Sequence, residues 1–413
     1  MRDRQVAQLL IGGGIASANC ARWLREAGAE EEILLVGREL DPPYDRPPCS
    51  KGYLGGKEER ASTYFRPPEW WAEQDVELLT RTSVTKLDPA ERLATLSNGQ
   101  RVAYKTALLA TGANVRRLPV EGAELEGIHY LRTLGNADSI RDGLAEAEHV
   151  VLIGGSYIGS EVAASLTALG KRCAIVMQER LPLQLGFGEQ AARFFGDVLE
   201  RHGVVLHGED SLARFEGAQG RVTKVITERG RELPADLVVI GAGAVPDVTL
   251  AKAAGLELGA SGGVKASARL ETSAPGVYAA GDICEYDSPM HGGSLRIEHW
   301  DVAFTHGKTA ALNMLGTGVA HEVVPYFFSD LADWASLAYV GPARTWEREV
   351  VRGSLEQGAF SIWYLSEGRV AAALAVGRDE DLVHARRMVA ERAVLGDDGE
   401  GLADLDTDLA SVG

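Results

Sequence analysis

The stretch that decides the fold is Val150-Val151-Leu152-Ile153-Gly154-Gly155-Ser156-Tyr157-Ile158-Gly159-Ser160-Glu161. Its apolar start is typical of a buried parallel strand, and the glycines that follow indicate a tight turn. The segment from Glu161 onward, rich in alanine and valine, predicts a helix. Strand, glycine turn and helix in this order form a dinucleotide site, because backbone N–H groups at the helix start face the pyrophosphate. An ordinary glycine-containing turn is the alternative, since Ser156 replaces the middle glycine of the G-x-G-x-x-G pattern.

The composition is that of an ordinary soluble protein, with 45% hydrophobic and 24% charged residues, and a length of 413 residues suggests several domains. No apolar run reaches the roughly 20 residues needed to cross a bilayer, and no signal peptide precedes the first strand, so we expect a cytoplasmic protein without membrane contact. The four cysteines form no C-x-x-C pair and the nine histidines no H-x-x-x-H spacing, so we expect no metal site. The net charge of −17 makes nucleic acid a poor partner.

A second unit of the same kind stands at the start of the chain. Residues 5–11 predict a strand, Gly12-Gly13-Gly14-Ile15-Ala16-Ser17 a turn and helix start, and residues 33–37 the next strand. This is the usual place for an FAD-binding half. Glu39 is the candidate for the ribose hydroxyls, displaced by one residue because Arg38 follows the strand. The FAD candidates of this unit are Gly12, Gly14, Ile15, Ala16 and Glu39.

The segment Pro43-Tyr44-Asp45-Arg46-Pro47-Pro48-Cys49-Ser50-Lys51 carries a specific resemblance. It resembles the P-Y-x-R-P-P-L-S-K segment of the NADH-dependent ferredoxin and rubredoxin reductases, a family that includes the flavoprotein domain of apoptosis-inducing factor. Ser50 can cap a helix here, and Lys51 would project from its first turn. The resemblance implies that Lys51 lies beside the N5 edge of the flavin, paired with Glu161, and it adds Arg46 to the FAD candidates. Without the family, a lysine here would indicate only a solvated face.

Two later segments resemble the family's remaining FAD motifs. Ala110-Thr111-Gly112 resembles the A-T-G segment that ends the first FAD half. Residues 272–282 match T-x-x-x-x-V-Y-A-x-G-D, the second FAD signature, which contributes Gly281 and Asp282. A carboxylate directly after a buried strand needs a hydrogen-bonding partner, and the resemblance implies that Asp282 accepts a hydrogen bond from the ribityl chain.

Glu298-His299-Trp300 begins a helix that the family places against the flavin pyrimidine edge. There its positive dipole end would stabilise negative charge at N1 and O2. Trp300 fits core packing equally well.

The strand at residues 172–177 is followed by Glu179, which lies 20 residues beyond Gly159. This is the spacing of an acceptor for the ribose hydroxyls, so NADH is favoured over NADPH. Arg172 and Arg180 keep NADPH open, because an arginine can hold a 2′-phosphate. Tyr157 resembles the tyrosine that covers the nicotinamide side of the flavin when NADH is absent. The NADH candidates are Gly154, Ser156, Tyr157, Ile158, Gly159, Glu161, Glu179 and Gly243.

The motifs together predict an α/β protein with two Rossmann-like dinucleotide-binding domains, glutathione-reductase-like, and an α+β C-terminal domain. We expect the first part of the FAD domain at residues 1–113, the NADH domain at 114–246 and the second FAD part at 247–322. The C-terminal domain would occupy 323–396, followed by an acidic, mobile tail at 397–413. Residues 325–330 resemble the family's P-Y-F-W-S-D entry to that domain, with Phe328 in place of tryptophan.

The resemblance implies an FAD-dependent NADH:ferredoxin or rubredoxin oxidoreductase in which Lys51, Glu161 and Tyr157 serve catalysis. One alternative is an NADH-dependent peroxidase, oxidase or coenzyme A disulfide reductase that uses Cys49, which stands where the family commonly has leucine. A thiol near a helix N-terminus has a lowered pKa. Another alternative is a signalling flavoprotein like apoptosis-inducing factor.

Overall fold

The computed structural model describes residues 4–395, 399 and 401–413. The strands are, in chain order, β1 (Arg4–Ile11), β2 (Ile33–Val36), β3 (Val76–Leu79), β4 (Val84–Asp88), β5 (Leu93–Leu96), β6 (Arg101–Leu109), β7 (Ala113–Val115), β8 (Ile128–Tyr130), β9 (His149–Ile153), β10 (Arg172–Val176), β11 (Val205–His207), β12 (Leu212–Ala218), β13 (Arg221–Thr227), β14 (Glu232–Pro234), β15 (Leu237–Ile240), β16 (Ala244–Pro246), β17 (Val264–Ala266), β18 (Val277–Ala279), β19 (Cys284–Ser288), β20 (Gly293–Leu295), β21 (Tyr326–Leu331), β22 (Ala335–Val340), β23 (Arg348–Ser354), β24 (Ala359–Ser366) and β25 (Arg369–Val376).

The α-helices are α1 (Ile15–Glu26), α2 (Pro68–Glu73), α3 (Leu134–Leu144), α4 (Tyr157–Ala168), α5 (Gln184–Arg201), α6 (Thr249–Ala253), α7 (Trp300–Met314) and α8 (Asp379–Glu391). Short 3-10 turns occur at Pro47–Ser50, Arg60–Thr63, Gly281–Ile283 and Leu409–Ser411. The chain divides into two compact units. The first contains Met1–Asp45, Ala61–Asn114 and Val245–Pro325, and the second contains Arg46–Arg60, Val115–Ala244 and Tyr326–Gly413.

The first unit is built on a sheet in the order β3-β2-β1-β6-β5-β4, with β18 also paired to β6. Strands β3, β2, β1, β6 and β18 are parallel, so their carboxyl ends meet at one edge. Helix α1 packs against α7, and Gly307 permits this contact because a Cβ there would overlap the carbonyl oxygen of Ala16. The glycine turn after β1 therefore lies at the edge where open α/β sheets bind ligands.

The second unit contains a parallel sheet in the order β11-β10-β9-β15-β8 and an antiparallel sheet β12-β13-β14. The stretch that begins at Val150 forms β9 and the start of α4, as its residues predict. Central strand β9 is flanked by β10 and β15, which explains its unbroken apolar run.

Residues from Tyr326 onward form an antiparallel sheet in the order β21-β22-β25-β24-β23, with α8 packed on β25. The predicted class, two Rossmann-like domains and an α+β C-terminal domain, is confirmed. The individual domain boundaries stay predictions.

Two local expectations differ from the structure. Residues 47–50 form a single 3-10 turn followed by further turns, so Ser50 caps no α-helix and Lys51 does not project from one. Three glycines among the next six residues, Gly52, Gly55 and Gly56, weaken helix formation there.

The structure also differs from the tail expected over residues 397–413. Leu402 and Leu409 are buried, and Arg352 donates to the carbonyl oxygens of Leu402, Asp404, Leu405 and Thr407. Residues 401–413 are therefore packed on the C-terminal domain despite their acidic composition. Residues 396–398 and 400 lie outside the described residues.

In the described part of the chain, no helix is both long and apolar enough to cross a membrane. Among the same residues, no group of three or more His, Cys, Asp or Glu side chains could hold a metal ion.

Candidate functional site

The glycine turn after β1 leaves open space beside the N-terminus of α1. Gly12 has a φ of +122°, and a Cβ there would overlap the carbonyl oxygen of Ala110. Gly14 precedes the helix, and a Cβ there would meet no atom within 4 Å. Among the described residues no side chain caps α1, whose first turn begins with Ile15 and Ala16 and contains no acid. Unpaired N–H groups, the positive helix end and open space fit a diphosphate.

Glu39 lies just beyond the carboxyl end of β2. The hydroxyl of buried Tyr44 donates to Oε2 of Glu39 at 2.5 Å. Arg38, the residue that displaces the expected acid, donates instead to Asp247 at 2.9 Å and Asn114 at 2.7 Å. Glu39 is thus oriented by a neighbour, whereas Arg38 is engaged with other side chains.

The Ala110-Thr111-Gly112 segment stands beside the same turn. The N–H of Ala110 donates to the carbonyl oxygen of Ile11 at 2.8 Å, and the Thr111 hydroxyl to that of Asp247 at 2.6 Å. Gly112 has a φ of +71° and accepts from the N–H of Asp247. These contacts bring the end of β6 and residue 247 together. Asp247 is not among the candidate residues predicted from the sequence.

The second FAD signature places Gly281 and Asp282 in a 3-10 turn directly after β18. Gly281 has a φ of +73°, and its N–H donates to Nδ1 of buried His306 on α7 at 3.2 Å. Burial lowers the pKa of His306 well below its ordinary value, which keeps the ring neutral and Nδ1 able to accept. His306 is a supporting residue that the sequence did not single out.

The start of α7 carries Glu298, His299 and Trp300 in three different settings. Glu298 forms an ion pair with Arg296, and His299 is the residue that precedes the helix. The indole N–H of Trp300 donates to Asp45 at 2.8 Å, and its ring stacks on Phe304. Trp300 is therefore half-buried and packs against its own helix at the start of α7.

The second glycine turn repeats the first with one substitution. Gly154 has a φ of +107°, and Cβ atoms at Gly154 or Gly159 would collide with the carbonyl oxygens of Gly241 and Gly154 respectively. Ser156 precedes α4 with φ −82° and ψ −171°, close to the extended backbone of Gly14 before α1. A side chain is tolerated there, which explains why a serine replaces the middle glycine. Its exposed hydroxyl donates to the carbonyl oxygen of Gly241 at 3.4 Å.

Ile158 and Gly243 belong to the same turn region of the second unit. Ile158 is half-buried in the first turn of α4. Gly243 has a φ of +91° after β15, and a Cβ there would meet nothing within 4 Å. The open space at Gly243 would allow a ligand to contact the backbone there.

Lys51 and Glu161 meet in the second unit, at Nζ to Oε1 3.4 Å. Glu161 is buried, and it accepts hydrogen bonds from the hydroxyls of Ser50 at 2.5 Å and Ser329 at 2.6 Å. Burial raises the pKa of Glu161, while Lys51 and the two serines act in the opposite direction. Lys51 also lies 3.1 Å from Asp330.

The aromatic ring of Phe328 completes the surroundings of Lys51, whose Nζ lies 4.5 Å from the ring centroid. Sequence reasoning missed Ser329 and Asp330 as partners of Glu161 and Lys51. Both belong to the segment that resembles P-Y-F-W-S-D, so the signal was present in the sequence.

Tyr157 begins α4 and packs in an aromatic cluster. Its ring centroid lies 4.6 Å from that of Phe327 and 5.7 Å from that of Phe187. A Cβ at Gly186 would lie 2.9 Å from the Tyr157 hydroxyl oxygen, so this glycine leaves room for the ring.

The residues expected to select the coenzyme separate into two places. Glu179 and Arg180 follow the carboxyl end of β10, whereas Arg172 begins the same strand and pairs with Glu148 at 3.2 Å. Because ligands of parallel sheets bind at carboxyl ends, the prediction that Arg172 could hold a 2′-phosphate is wrong.

Arg46 and Cys49 belong to the 3-10 turn before Lys51. Arg46 donates to the carbonyl oxygen of Arg132. Cys49 is buried with 3% of its surface exposed, and no α-helix begins at this turn.

Comparison with known proteins identifies the family. The family described as pyridine nucleotide-disulphide oxidoreductase matches residues 7–307, and that described as reductase C-terminal matches residues 326–413. The chain belongs to the pyridine nucleotide-disulphide oxidoreductase family. It is a reductase of the ferredoxin reductase type, as the segment at Lys51 predicted, and the family uses FAD and NAD(P)H.

Three proteins illustrate the similarity. The ferredoxin reductase subunit of 5,5'-dehydrodivanillate O-demethylase from Sphingobium sp. is 34% identical over 403 residues, or 97% of each chain. The ferredoxin reductase for the CYP199A2 system from Rhodopseudomonas palustris has a TM-score of 0.93 at 31% identity, covering 98% of each chain. The covalent putidaredoxin reductase-putidaredoxin complex gives a TM-score of 0.92 at 32% identity, covering 99% of this chain and 98% of that one.

Proposed function

We propose that this protein is a cytoplasmic FAD-dependent oxidoreductase that takes hydride from NADH and passes single electrons to a ferredoxin or rubredoxin. The observation that carries the proposal is the buried Glu161 carboxylate, held by two serine hydroxyls and Lys51. A buried charge is costly unless it is paired and hydrogen-bonded. This arrangement supports a role for the Glu161 carboxylate in positioning the ammonium group of Lys51 for the reaction.

FAD supplies the redox chemistry when bound, since its ring accepts a hydride and releases electrons singly. The protein binds and orients the two nucleotides. The N-termini of α1 and α4 would bind the two diphosphates, and Glu39 and Glu179 would accept hydrogen bonds from ribose hydroxyls. Asp282 would accept a hydrogen bond from the ribityl chain.

Lys51 would present its ammonium to the flavin edge in an orientation fixed by two carboxylates. Glu161 lies on one side at 3.4 Å and Asp330 on the other at 3.1 Å. Both lysine contacts stay partly hydrated, since the Lys51 side chain is 16% exposed and that of Asp330 34%. Tyr157 would cover the nicotinamide position until NADH arrives.

The preference for NADH rests on Glu179. A carboxylate at this place hydrogen-bonds two ribose hydroxyls and repels a 2′-phosphate. Of the two arginines considered among the described residues 172–180, Arg180 is the one at the carboxyl end of β10, because Arg172 lies at the other end of the strand.

The acceptor is proposed from the relatives, which are named for ferredoxin and putidaredoxin. Acidic acceptors meet long-range repulsion from a chain of net charge −17. Screening over about 8 Å at physiological salt leaves docking to a local surface feasible.

Turnover with a panel of acceptors tests this proposal. We expect NADH oxidation to couple to reduction of a ferredoxin or rubredoxin, followed through the absorbance of the iron–sulfur centre. Turnover confined to peroxide or coenzyme A disulfide would contradict it and favour the alternative that uses Cys49. An absence of NADH oxidation with every iron–sulfur and dye acceptor would favour a signalling role.

A further inference from the structure

Glu189, on the second turn of α5, forms ion pairs with two arginines. Its Oε1 accepts from Arg180 at 2.7 Å and from Nε of Arg193 at 3.0 Å. The pair with Arg193 is an ordinary contact between successive helix turns. The pair with Arg180 is different, because it joins α5 to the residue that follows Glu179 beyond the carboxyl end of β10.

This position is where a 2′-phosphate would have to be recognised. Arginine is the side chain best suited to that task, since its planar guanidinium binds phosphate oxygens in a bidentate manner. Within the described residues that follow β10 directly, 177–180, Arg180 is the cation available, and it is engaged by a carboxylate.

We propose that Glu189 is a coenzyme-specificity residue that excludes NADPH by occupying Arg180, with Arg193 as a second captured cation. This inference rests on the proposed NADH-dependent function. Glu189 does not contact the coenzyme in this account, because it acts through Arg180. Glu179 repels the 2′-phosphate of NADPH. Glu189 binds the guanidinium of Arg180, which would otherwise attract that phosphate and offset the repulsion.

The charges make the expected effect moderate. Glu179, Arg180, Glu189 and Arg193 sum to zero at neutral pH, so the Glu189→Gln change leaves one net positive charge beside the phosphate position. The side chains of Arg180 and Glu189 are 46% and 48% exposed, so water and salt weaken their pair. We expect the ratio of kcat/KM for NADPH to that for NADH to rise about two- to fivefold in Glu189→Gln.

The test compares three variants with the wild type as FAD holoenzymes, using a dye as electron acceptor. Glu148→Gln is the matched control, because it makes the same change and frees Arg172 at the other end of β10. The double variant Glu189→Gln/Arg180→Gln removes the arginine that the single variant releases. Calorimetric binding of 2′,5′-ADP and of 5′-ADP provides a second readout that needs no turnover.

The expected results are a gain for NADPH and for 2′,5′-ADP in Glu189→Gln, no gain in Glu148→Gln, and loss of the gain in the double variant. A ratio unchanged in Glu189→Gln, or a gain that persists in the double variant, would overturn the assignment. Failure of the wild type to oxidise NADH would count against the proposed function alone, since the comparison of the two adenosine phosphates would still test Glu189.

Discussion

Ser329 and Glu161 join strand β21 to helix α4 through a buried hydrogen bond of 2.6 Å. Ser50 donates to the other carboxylate oxygen at 2.5 Å, and Lys51 lies 3.4 Å from the first. The Glu161 carboxylate, which the family resemblance pairs with Lys51, is thus held by two segments distant from it in the chain, residues 50–51 and residue 329. Such a group positions the ammonium of Lys51 only as long as its own hydrogen bonds are intact.

Glu161→Ala should retain FAD and lose rapid reduction by NADH. The variant removes the carboxylate that orients Lys51, and misplacement of a positioned group by about 1 Å can cost a hundredfold in rate. We expect anaerobic stopped-flow reduction of the flavin to slow by about ten- to a hundredfold. Reduction at the wild-type rate in a variant that contains FAD would remove Glu161 from the mechanism.

Ser329→Ala should destabilise the protein by about 2 kcal/mol, because it leaves a buried carboxylate oxygen with one donor fewer. It should also raise the pKa of Glu161 further, since the serine hydrogen bond acts to lower it. Denaturant unfolding measures the first effect. Ser139→Ala provides the control, because that hydroxyl is exposed and donates only to the carbonyl oxygen of its own helix at Gly135. Equal stability of the two variants would contradict the role of Ser329.

Gly12→Ala should lower the stability of the fold, whereas Gly14→Ala should lower FAD affinity and leave the stability unchanged. At Gly12 a φ of +122° and the carbonyl oxygen of Ala110 both oppose a side chain, so we expect a loss of about 2 kcal/mol or more in unfolding free energy. At Gly14 a Cβ has space in the protein, so the apoprotein should be stable while FAD affinity falls. Calorimetric unfolding of both apoproteins and FAD titration check this, and a stable Gly12→Ala apoprotein that binds FAD normally would refute it.

The histidines of the first unit should make stability fall in mild acid. Burial lowers the pKa of His321 from 6.5 to about 4 and that of His306 further below its usual range. Between pH 6.5 and about pH 4, His321 binds a proton in the unfolded chain but not in the folded protein. Stability therefore decreases as pH falls from about 6.5 to about 4, by up to about 1.4 kcal/mol per pH unit for this residue, and is unaffected by it above that window.

His321→Asn removes this titrating group. We expect its unfolding free energy to depend less steeply on pH than that of the wild type between pH 6.5 and pH 4. The surrounding groups are Thr309, whose hydroxyl lies 2.9 Å from Nδ1, and the rings of His306 and Tyr286. Parallel pH profiles for the two proteins would show that the pKa of His321 is the same in the folded and the unfolded state, which would contradict the prediction.

The sequence predicted most of what local chemistry specifies. Gly12 and Gly154 mark their turns because only glycine adopts those backbone angles beside a carbonyl oxygen. The pairing of Lys51 with Glu161 came from the family resemblance, since no local pattern connects residues so distant. The hydrogen bonds of Ser50 and Ser329 to Glu161 are tertiary contacts and could not be derived from spacing.

The errors have physical causes as well. Ser50 favours an α-helix after Pro47, but the glycines that follow favour turns. The prediction for Arg172 overlooked a consequence of the strand at residues 172–177, because a residue that begins a parallel strand lies at the edge of the sheet opposite to the ligand edge. The acidic C-terminal residues were expected to be mobile, and the carbonyl groups that Arg352 binds explain why they pack.

The most direct test of the central claim separates the two half-reactions in one anaerobic experiment. Mixing the FAD protein with NADH should bleach the flavin absorbance, and subsequent mixing with an oxidised ferredoxin or rubredoxin should restore it while the iron–sulfur centre is reduced. A flavin that NADH does not reduce, or a reduced flavin that returns electrons to peroxide or a disulfide but to no iron–sulfur protein, would contradict the account.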